Sequence, residues 1–264
     1  MFGHGSSIRI IGHRGAAGVA PENTLVSFER GVLGGAQAIE MDVHRAASGE
    51  LVVFHDSTLD RTTSGSGPVE AMSLPALQQL DAGYGFTPDH GRSFPYRESG
   101  VTVPTLDQAV EACAGLPLII EVKSAAAGRA LGEWLRDHPA RPRILVGGES
   151  RTDSAPAVAA AMYNCASAAD LRPTVLLSKI GLHRRLPPKV SAAMVPVWSH
   201  GLRVVTRGFV RRTHETGQGV FVWTVNRPQE MRRLFDLGVD GLISDFPAIV
   251  RRIVNERQAL ESAA

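Results

Sequence analysis

Short apolar runs rich in β-branched residues alternate with longer amphipathic segments along most of the chain. Runs of this length predict strands, and apolar residues recurring every three or four positions between them predict helices. The strands are predicted at residues 8–12, 38–43, 118–122, 144–147, 174–178, 194–198, 220–225 and 240–244. The main helices are predicted at 24–33, 106–113, 127–137, 155–161, 206–215, 228–237 and 248–259. Such an alternation is typical of a parallel sheet covered by helices.

The stretch 38–56 breaks this alternation, because another apolar run, 51–54, follows the second strand almost at once. A parallel neighbour needs a crossover of about a dozen residues, so this run is predicted to return antiparallel, in a hairpin that turns near Ser48 and Gly49. Eight strand–helix units then remain, which predicts a TIM (β/α)8 barrel with its chemistry at the carboxyl ends of the strands. The irregular stretch at about 57–103 is predicted to be a small insertion after strand two.

Length and composition fit a single domain that spans residues 1–264. A chain of this length with 44% hydrophobic content can bury a large core. The net charge of +2, without a cluster of Lys or Arg, gives no reason to expect a nucleic-acid partner. No apolar run approaches the roughly 20 residues of a membrane span, and no signal peptide is apparent, so we expect a cytoplasmic protein without stable membrane insertion. Cys113 and Cys165 are expected to be unpaired, and the oligomeric state stays open.

Candidate chemistry begins on the second strand. Glu40 and Asp42 are two residues apart, so in an extended strand their carboxylates point to the same side. Folding the hairpin about its turn sets His55 roughly opposite Asp42. Two carboxylates and an imidazole then converge, an arrangement that suits a divalent cation beside a general acid or base.

Other predicted strand ends also carry charged groups, which are costly to bury unless they bind something. Glu121 adds a third carboxylate, and an oxygen-rich site of this kind suits Mg²⁺ or Ca²⁺, between which the sequence does not choose. Arg14 and Lys123 add positive charge that would suit an anionic phosphoryl group. His13 and His55 are candidates to divide the work of accepting and donating protons.

The order of these motifs closely resembles that of the glycerophosphodiester phosphodiesterase family, over about residues 10 to 250. The motifs are His13-Arg14-Gly15, Pro21-Glu22-Asn23-Thr24, Glu40-x-Asp42, His55-Asp56, Arg61-Thr62-Thr63, Pro104-Thr105-Leu106, Glu121-Val122-Lys123, Trp223-Thr224-Val225-Asn226 and Gly241-Leu242-Ile243-Ser244-Asp245. Each motif alone is weak evidence for the family, but the nine motifs in this order are specific to it.

The resemblance implies a TIM barrel that hydrolyses a glycerophosphodiester, a small molecule, to sn-glycerol 3-phosphate and an alcohol. It implies one divalent cation on Glu40, Asp42 and Glu121, catalysis by His13 and His55, and phosphate contacts from Arg14 and Lys123. Trp223 is a further candidate for substrate binding, with packing under the loops as the alternative. Lys123 has the alternative of pairing only with Glu121, and Glu22 and Asn23 are expected to hold the first loop.

Other functions stay open at this point. A lysophospholipase-D-type barrel would need an apolar ramp near the mouth, for which the insertion offers Tyr84, Phe86, Phe94 and Tyr96. A non-catalytic binding barrel is opposed by the intact histidines, and an amidohydrolase-type barrel by the absence of a His-x-His pair after strand one. The remaining internal histidines are expected to be surface or structural residues outside any constellation: His44, His90, His138, His183, His200 and His214.

Overall fold

The computed structural model describes residues 1–148, 150–179 and 185–262. The strands are β1 Ile10–Gly12, β2 Ala38–Arg45, β3 Leu51–Val53, β4 Leu118–Val122, β5 Ile144–Gly148, β6 Tyr163–Asn164, β7 Ala192–Pro196, β8 Trp198–Ser199, β9 Leu202–Arg203, β10 Gly219–Trp223 and β11 Gly241–Ser244. The helices are α1 Leu25–Leu33, α2 Leu74–Leu77, α3 Leu106–Ala112, α4 Ala125–Asp137, α5 Arg151–Ala160, α6 Ala168–Lys179, α7 Arg207–His214, α8 Pro228–Asp236 and α9 Pro247–Ser262.

The main sheet curls into a barrel of parallel strands. Its neighbours run in the order β6-β5-β4-β2-β1-β11-β10-β7, and each adjacent pair is parallel. A parallel bridge between Cys165 and Ala192 joins the two ends, and the Ala166 amide donates to the Ala192 carbonyl over 2.8 Å. The predicted (β/α)8 barrel is therefore confirmed.

The predicted hairpin is confirmed, with its register one residue from the expected one. Strand β3 pairs antiparallel with β2 so that Val53 lies opposite Val43, and the Phe54 amide donates to the Asp42 carbonyl over 3.0 Å. The turn is centred on Ser48, whereas the expected turn lay between Ser48 and Gly49. Gly49 adopts a left-handed φ of +114° at the end of this turn. Phe54, and not His55, consequently lies opposite Asp42.

The predicted strand at 174–178 is wrong, because these residues belong to helix α6. The fifth barrel position is taken by the short strand β6 instead. A short apolar run does not distinguish a strand from a helix by periodicity alone. The distinguishing signal lies just upstream, where Ser167 and Asp170 form a capping box: the Ser167 amide donates to the Asp170 carboxylate over 3.1 Å, and the Asp170 amide to Ser167 Oγ over 3.4 Å.

The inward-facing side chains of the barrel strands form an apolar layer below a polar one. The apolar layer is packed at its base by Phe2, whose ring meets that of Phe221 edge-on at 6.4 Å. It contains Phe2, Ile8, Ile11, Ala38, Ile119, Leu145, Ala192, Phe221 and Ile243. Because side chains alternate along a strand, the residues two positions further on return to the interior, at the carboxyl ends of the strands. That second layer includes His13, Glu40, Glu121 and Asp245, so the barrel interior becomes polar at its mouth.

The insertion packs on the hairpin through its own apolar cluster, in which Leu59, Val69 and Leu77 cover Val52 and Phe54. The insertion is thus fixed above β2 and β3. Cys113 is buried and Cys165 is half-buried, and both are free thiols. Within the described ranges, none of the helices has the length and apolar character that a membrane crossing requires.

Candidate active site

The three candidate metal ligands meet at the carboxyl ends of β2 and β4. The register of these strands places Asp42 beside Glu121, and Glu40 stands two residues earlier on the same side of β2. One oxygen from each carboxylate lies within 4.8 Å of the others. Glu40 and Asp42 are only 4% and 1% exposed, whereas the Glu121 side chain is 29% exposed. The structure therefore brings the predicted carboxylates together in a site with one open side.

This cluster holds more negative charge than its surroundings neutralise. Burial, together with the charges of Asp42 and Glu121, raises the pKa of Glu40 to about 8, although His13 and Arg14 act in the opposite direction. Burial and the two neighbouring carboxylates therefore favour the protonated form of Glu40 when no cation is bound. A divalent cation with oxygen ligands would displace a proton from Glu40 and relieve the repulsion.

Both predicted phosphate-binding residues reach the carboxylates. Lys123 Nζ lies 2.7 Å from Glu121 Oε1 and 3.0 Å from Asp42 Oδ1, so it pairs with more than Glu121 alone. Arg14 Nε is 3.2 Å from Asp42 Oδ2, yet among the described residues this buried nitrogen finds no acceptor with hydrogen-bond geometry. The Arg14 amide donates to Glu40 Oε2 over 2.9 Å. Arg14 adopts a left-handed φ of 48°, uncommon outside glycine, which aims this amide into the site.

The loop after β1 holds Asp42 through Asn23. The Asn23 side chain donates to Asp42 Oδ2 over 2.8 Å, and its oxygen accepts from the Asp42 amide over 3.3 Å. Thr24 caps helix α1 by accepting from the Ser27 amide. Asn23 therefore holds the first loop, as predicted, but its bond to a candidate metal ligand was not predicted.

His13 follows β1 directly and is oriented by a carboxylate from β11. Its Nδ1 lies 2.6 Å from Asp245 Oδ1, and its Nε2 lies 4.0 Å from Glu40. Burial alone would lower the pKa of His13, but the bond to Asp245 and the charge of Glu40 outweigh burial and raise it. Burial opposes ionisation of Asp245, yet His13 and Asn226 hold its pKa below the usual range. An ionised Asp245 only accepts hydrogen bonds, so Nδ1 carries the proton and Nε2 is left to face the site.

Asp245 and Asn226 had no predicted role, although both lie in motifs that the family resemblance includes. Asn226 donates to Asp245 Oδ2 and accepts from the Asp245 amide over 3.0 Å. Both residues follow the carboxyl ends of the adjacent strands β10 and β11, and this position could have identified them as candidate site residues. These two residues form a fixed support behind His13.

His55 is held in the same way by its neighbour. Its Nδ1 lies 2.6 Å from Asp56 Oδ1, and Arg61 Nε contacts the other oxygen of Asp56 over 2.7 Å. Arg61 also binds Glu22, which in turn contacts Arg14, each over 2.7 Å. Burial raises the pKa of Glu22, but the two arginines outweigh burial and bring it down to about 2. This chain of charged contacts connects the His55 loop to the carboxylate cluster, a role for Arg61 that the sequence analysis missed.

The opposite wall of the mouth is apolar. Trp223 ends β10 beside Pro196 of β7, on the same side of its strand as the interior residue Phe221. It is 43% exposed, and its contact with a substrate stays a prediction. Beyond Pro196, the β8–β9 hairpin exposes Trp198 by 54% and Leu202 by 43%.

The aromatic residues of the insertion contact one another instead of forming a continuous ramp. The Phe86 and Tyr96 rings meet edge-on at 5.3 Å. The Arg97 guanidinium lies over the rings of Tyr84 and Phe94, at 4.1 and 3.9 Å from their centroids. The insertion is thus a weaker candidate for a lipid-binding surface than the β8–β9 hairpin.

Among the described residues, three of the remaining histidines pair with carboxylates: His44 with Glu70, His138 with Asp107 and His214 with Asp240. His44 contacts Glu70 over 3.1 Å and is structural, as predicted. His214 was expected to lie outside any constellation, but it lies in a cluster with His4 and Asp240. His183 lies outside the described residues.

A parallel barrel with this charged mouth belongs to the class of α/β-barrel enzymes. The family model of the glycerophosphoryl diester phosphodiesterase family matches residues 13–249. A glycerophosphodiester phosphodiesterase from Caldanaerobacter subterraneus subsp. tengcongensis is 31% identical over 94% of this chain and 98% of its own length. This chain therefore belongs to the glycerophosphoryl diester phosphodiesterase family and is an enzyme, which confirms the resemblance seen in the sequence.

Solved structures agree with this assignment. The glycerophosphoryl diester phosphodiesterase domain of a Mycobacterium tuberculosis protein matches with a TM-score of 0.80 and 21% identity, over 94% of this chain and 99% of that one, which supports the fold. An Oleispira antarctica phosphodiesterase in complex with its product sn-glycerol-3-phosphate matches with a TM-score of 0.73 and 25% identity, over 94% and 96% of the two chains.

Proposed function

We propose that this enzyme hydrolyses small glycerophosphodiesters to sn-glycerol 3-phosphate and an alcohol, with one divalent cation, Mg²⁺ or Ca²⁺. The observation that carries the proposal is the cluster of Glu40, Asp42 and Glu121, with excess negative charge, directly beside Arg14 and Lys123. The product complex of the Oleispira antarctica relative supports the choice of substrate.

The carboxylates and the two cations have complementary tasks in this proposal. A divalent cation held by Glu40, Asp42 and Glu121 would neutralise charge on a phosphoryl oxygen and make the phosphorus easier to attack. Lys123 and Arg14 contact the same carboxylates. Their positive charges would stabilise the remaining negative charge of the phosphoryl group in the transition state. Asn23 keeps Asp42 in place throughout.

His13 and His55 exchange the protons. One removes the proton of a glycerol hydroxyl of the substrate as that oxygen bonds to phosphorus, and the other protonates the leaving alcohol oxygen as its bond to phosphorus breaks. Water then opens the resulting cyclic phosphate to sn-glycerol 3-phosphate. Each histidine has Nδ1 bound to a carboxylate, Asp245 or Asp56, so Nε2 is the nitrogen that exchanges a proton. Asp245 and Asp56 act as positioning residues.

The direct test is to incubate the enzyme with glycerophosphocholine and identify the products. We expect sn-glycerol 3-phosphate and choline, because the proposal breaks the phosphorus–oxygen bond to the alcohol. Glycerol and phosphocholine would show that the opposite ester bond breaks. Release of neither pair under any divalent cation would overturn the choice of substrate.

A lysophospholipid is the second candidate substrate, and the exposed Trp198 and Leu202 at the rim favour it. Arg203 lies over the Trp198 ring at 4.9 Å, so this hairpin combines apolar surface with a cation. Such a combination suits the acyl chain and headgroup region of a lipid.

The Trp198→Ala variant separates the two candidates. Half-burying a tryptophan against an acyl chain stabilises the complex by about 1 kcal/mol, so we expect kcat/KM for lysophosphatidylcholine to fall roughly fivefold. The rate with glycerophosphocholine should stay unchanged. Leu33→Ala, which removes a 64% exposed side chain from the end of α1, is the matched control. Equal losses with both substrates would assign Trp198 to the shared site and remove the case for lipids.

A further inference from the structure

His4, His214 and Asp240 form a second cluster of metal-ligating side chains. His4 Nδ1 lies 3.1 Å from Asp240 Oδ1, and His214 Nε2 lies 2.7 Å from Asp240 Oδ2. The two imidazole rings stack with centroids 3.6 Å apart. One ligand atom from each residue lies within 4.8 Å of the other two. The cluster thus offers two nitrogens and one carboxylate oxygen at one place.

This cluster lies at the end of the barrel opposite the active site. Asp240 directly precedes β11, His214 is the last residue of α7, and His4 lies in the segment that leads into β1. The candidate catalytic groups instead follow the carboxyl ends of their strands. The cluster is therefore separate from the chemistry proposed above.

Asp240 is held in place independently of the histidines. The Gly5 amide donates to Asp240 Oδ1 over 3.1 Å, and the Val220 amide donates to Oδ2 over 2.7 Å. Each oxygen thus uses one lone pair on the backbone and presents the other to an imidazole. Backbone bonds of this kind orient a carboxylate for metal binding.

We propose that His4, His214 and Asp240 bind a Zn²⁺ ion. Two imidazoles and one carboxylate suit zinc, whereas Mg²⁺ and Ca²⁺ prefer sites made of oxygen alone. The two ring protons that now face Asp240 would move to the other ring nitrogens, so that both ligand nitrogens present lone pairs. Water completes the coordination from an open groove of about 460 Å³ that His4 and His214 line.

The geometry requires one ring to move, and His4 has the freedom to do so. Ligand atoms around a tetrahedral zinc ion are roughly 3.3 Å apart, and their lone pairs converge, which stacked rings do not allow. The His4 side chain is 48% exposed and lies between Gly3 and Gly5. His214 is only 15% exposed and stays in place at the end of α7.

Zinc at this position would tie the amino-terminal segment to α7 and β11. The same segment carries Phe2, which is fully buried and fills the base of the barrel interior. An ion bound to His4 would therefore also help to keep the Phe2 side chain in its buried position. We infer that zinc stabilises the fold and leaves the catalytic metal requirement unchanged.

The test compares zinc binding by the full-length wild-type enzyme and by His4→Gln, with excess Mg²⁺ present to occupy the carboxylate cluster. Zn²⁺ is titrated against a chelating dye, and Tm is measured with and without Zn²⁺. We expect His4→Gln to bind zinc at least about tenfold more weakly, as loss of a ligand requires. In the wild type, free Zn²⁺ at a hundredfold excess over Kd should raise Tm by roughly 5 °C, and this increase should disappear in the variant.

His138→Gln is the matched control. His138 stacks on Trp134 at 3.6 Å and lies 3.6 Å from Asp107, so it has a ring and a carboxylate as partners but no second imidazole. This variant should bind zinc like the wild type. Equal zinc binding by wild type and His4→Gln, or an equal loss in His138→Gln, would overturn the proposal. His4→Gln should keep its glycerophosphodiesterase rate, which separates this result from any failure of the proposed function.

Discussion

The His13→Ala variant should lose turnover by about 10²- to 10⁴-fold, the usual contribution of a positioned acid or base. His55→Ala should show a loss in the same range. Both side chains are partly exposed at the barrel mouth, at 17% and 30%, so their removal should leave the fold intact. The measurement is kcat with glycerophosphocholine, with circular dichroism and Tm as controls of folding. Unfolding of either variant would assign that histidine a structural role.

The Asp245→Asn variant then determines which proton transfer His13 performs. Removing the carboxylate takes away the interaction that raises the pKa of His13, so this pKa should fall. If His13 acts protonated, as the acid, activity is lost as pH rises through its pKa, and that loss should move to lower pH. If His13 acts neutral, as the base, activity should instead extend to lower pH. A profile of kcat against pH that does not move would show that Asp245 does not act through His13.

The predictions that succeeded rest on relationships within one strand or between chain neighbours. Glu40 and Asp42 share a face because side chains alternate along β2, and this needs no tertiary information. The hairpin followed from a connector too short for a parallel crossover. Its register was missed by one residue because Gly49 adopts a left-handed conformation that the sequence permits but does not require.

The contacts that the sequence did not reveal join residues far apart along the chain. His13 and Asp245 are separated by 232 positions, and His4 and Asp240 by 236, so only the closed barrel brings them together. Helix α6 was misassigned for a different reason. Its apolar run fits a strand or a helix, and the capping box at Ser167 and Asp170 decides between them locally.

Removal of divalent cations with EDTA should abolish turnover, and adding back Mg²⁺ or Ca²⁺ should restore it and identify a competent ion. The physical reason is the charge of the carboxylate cluster, which favours the protonated form of Glu40 when no ion is bound. Because the ion must displace this proton, its apparent affinity should rise with pH up to about 8 and then level off. The measurement is the metal concentration that gives half-maximal kcat at several pH values.

Glu121→Gln tests the ligand set without stranding a buried charge, since Glu121 is the most exposed of the three carboxylates and Lys123 keeps its contact with Asp42. We expect the required metal concentration to rise at least about tenfold, which corresponds to roughly 1.4 kcal/mol of binding free energy. The loss of a neighbouring negative charge should also lower the pKa of Glu40, so the plateau in metal affinity should begin at lower pH. Glu133→Gln, an exposed change of the same charge on α4, is the control. An unchanged metal requirement in Glu121→Gln would remove this residue from the ligand set and leave Glu40 and Asp42 to hold the ion.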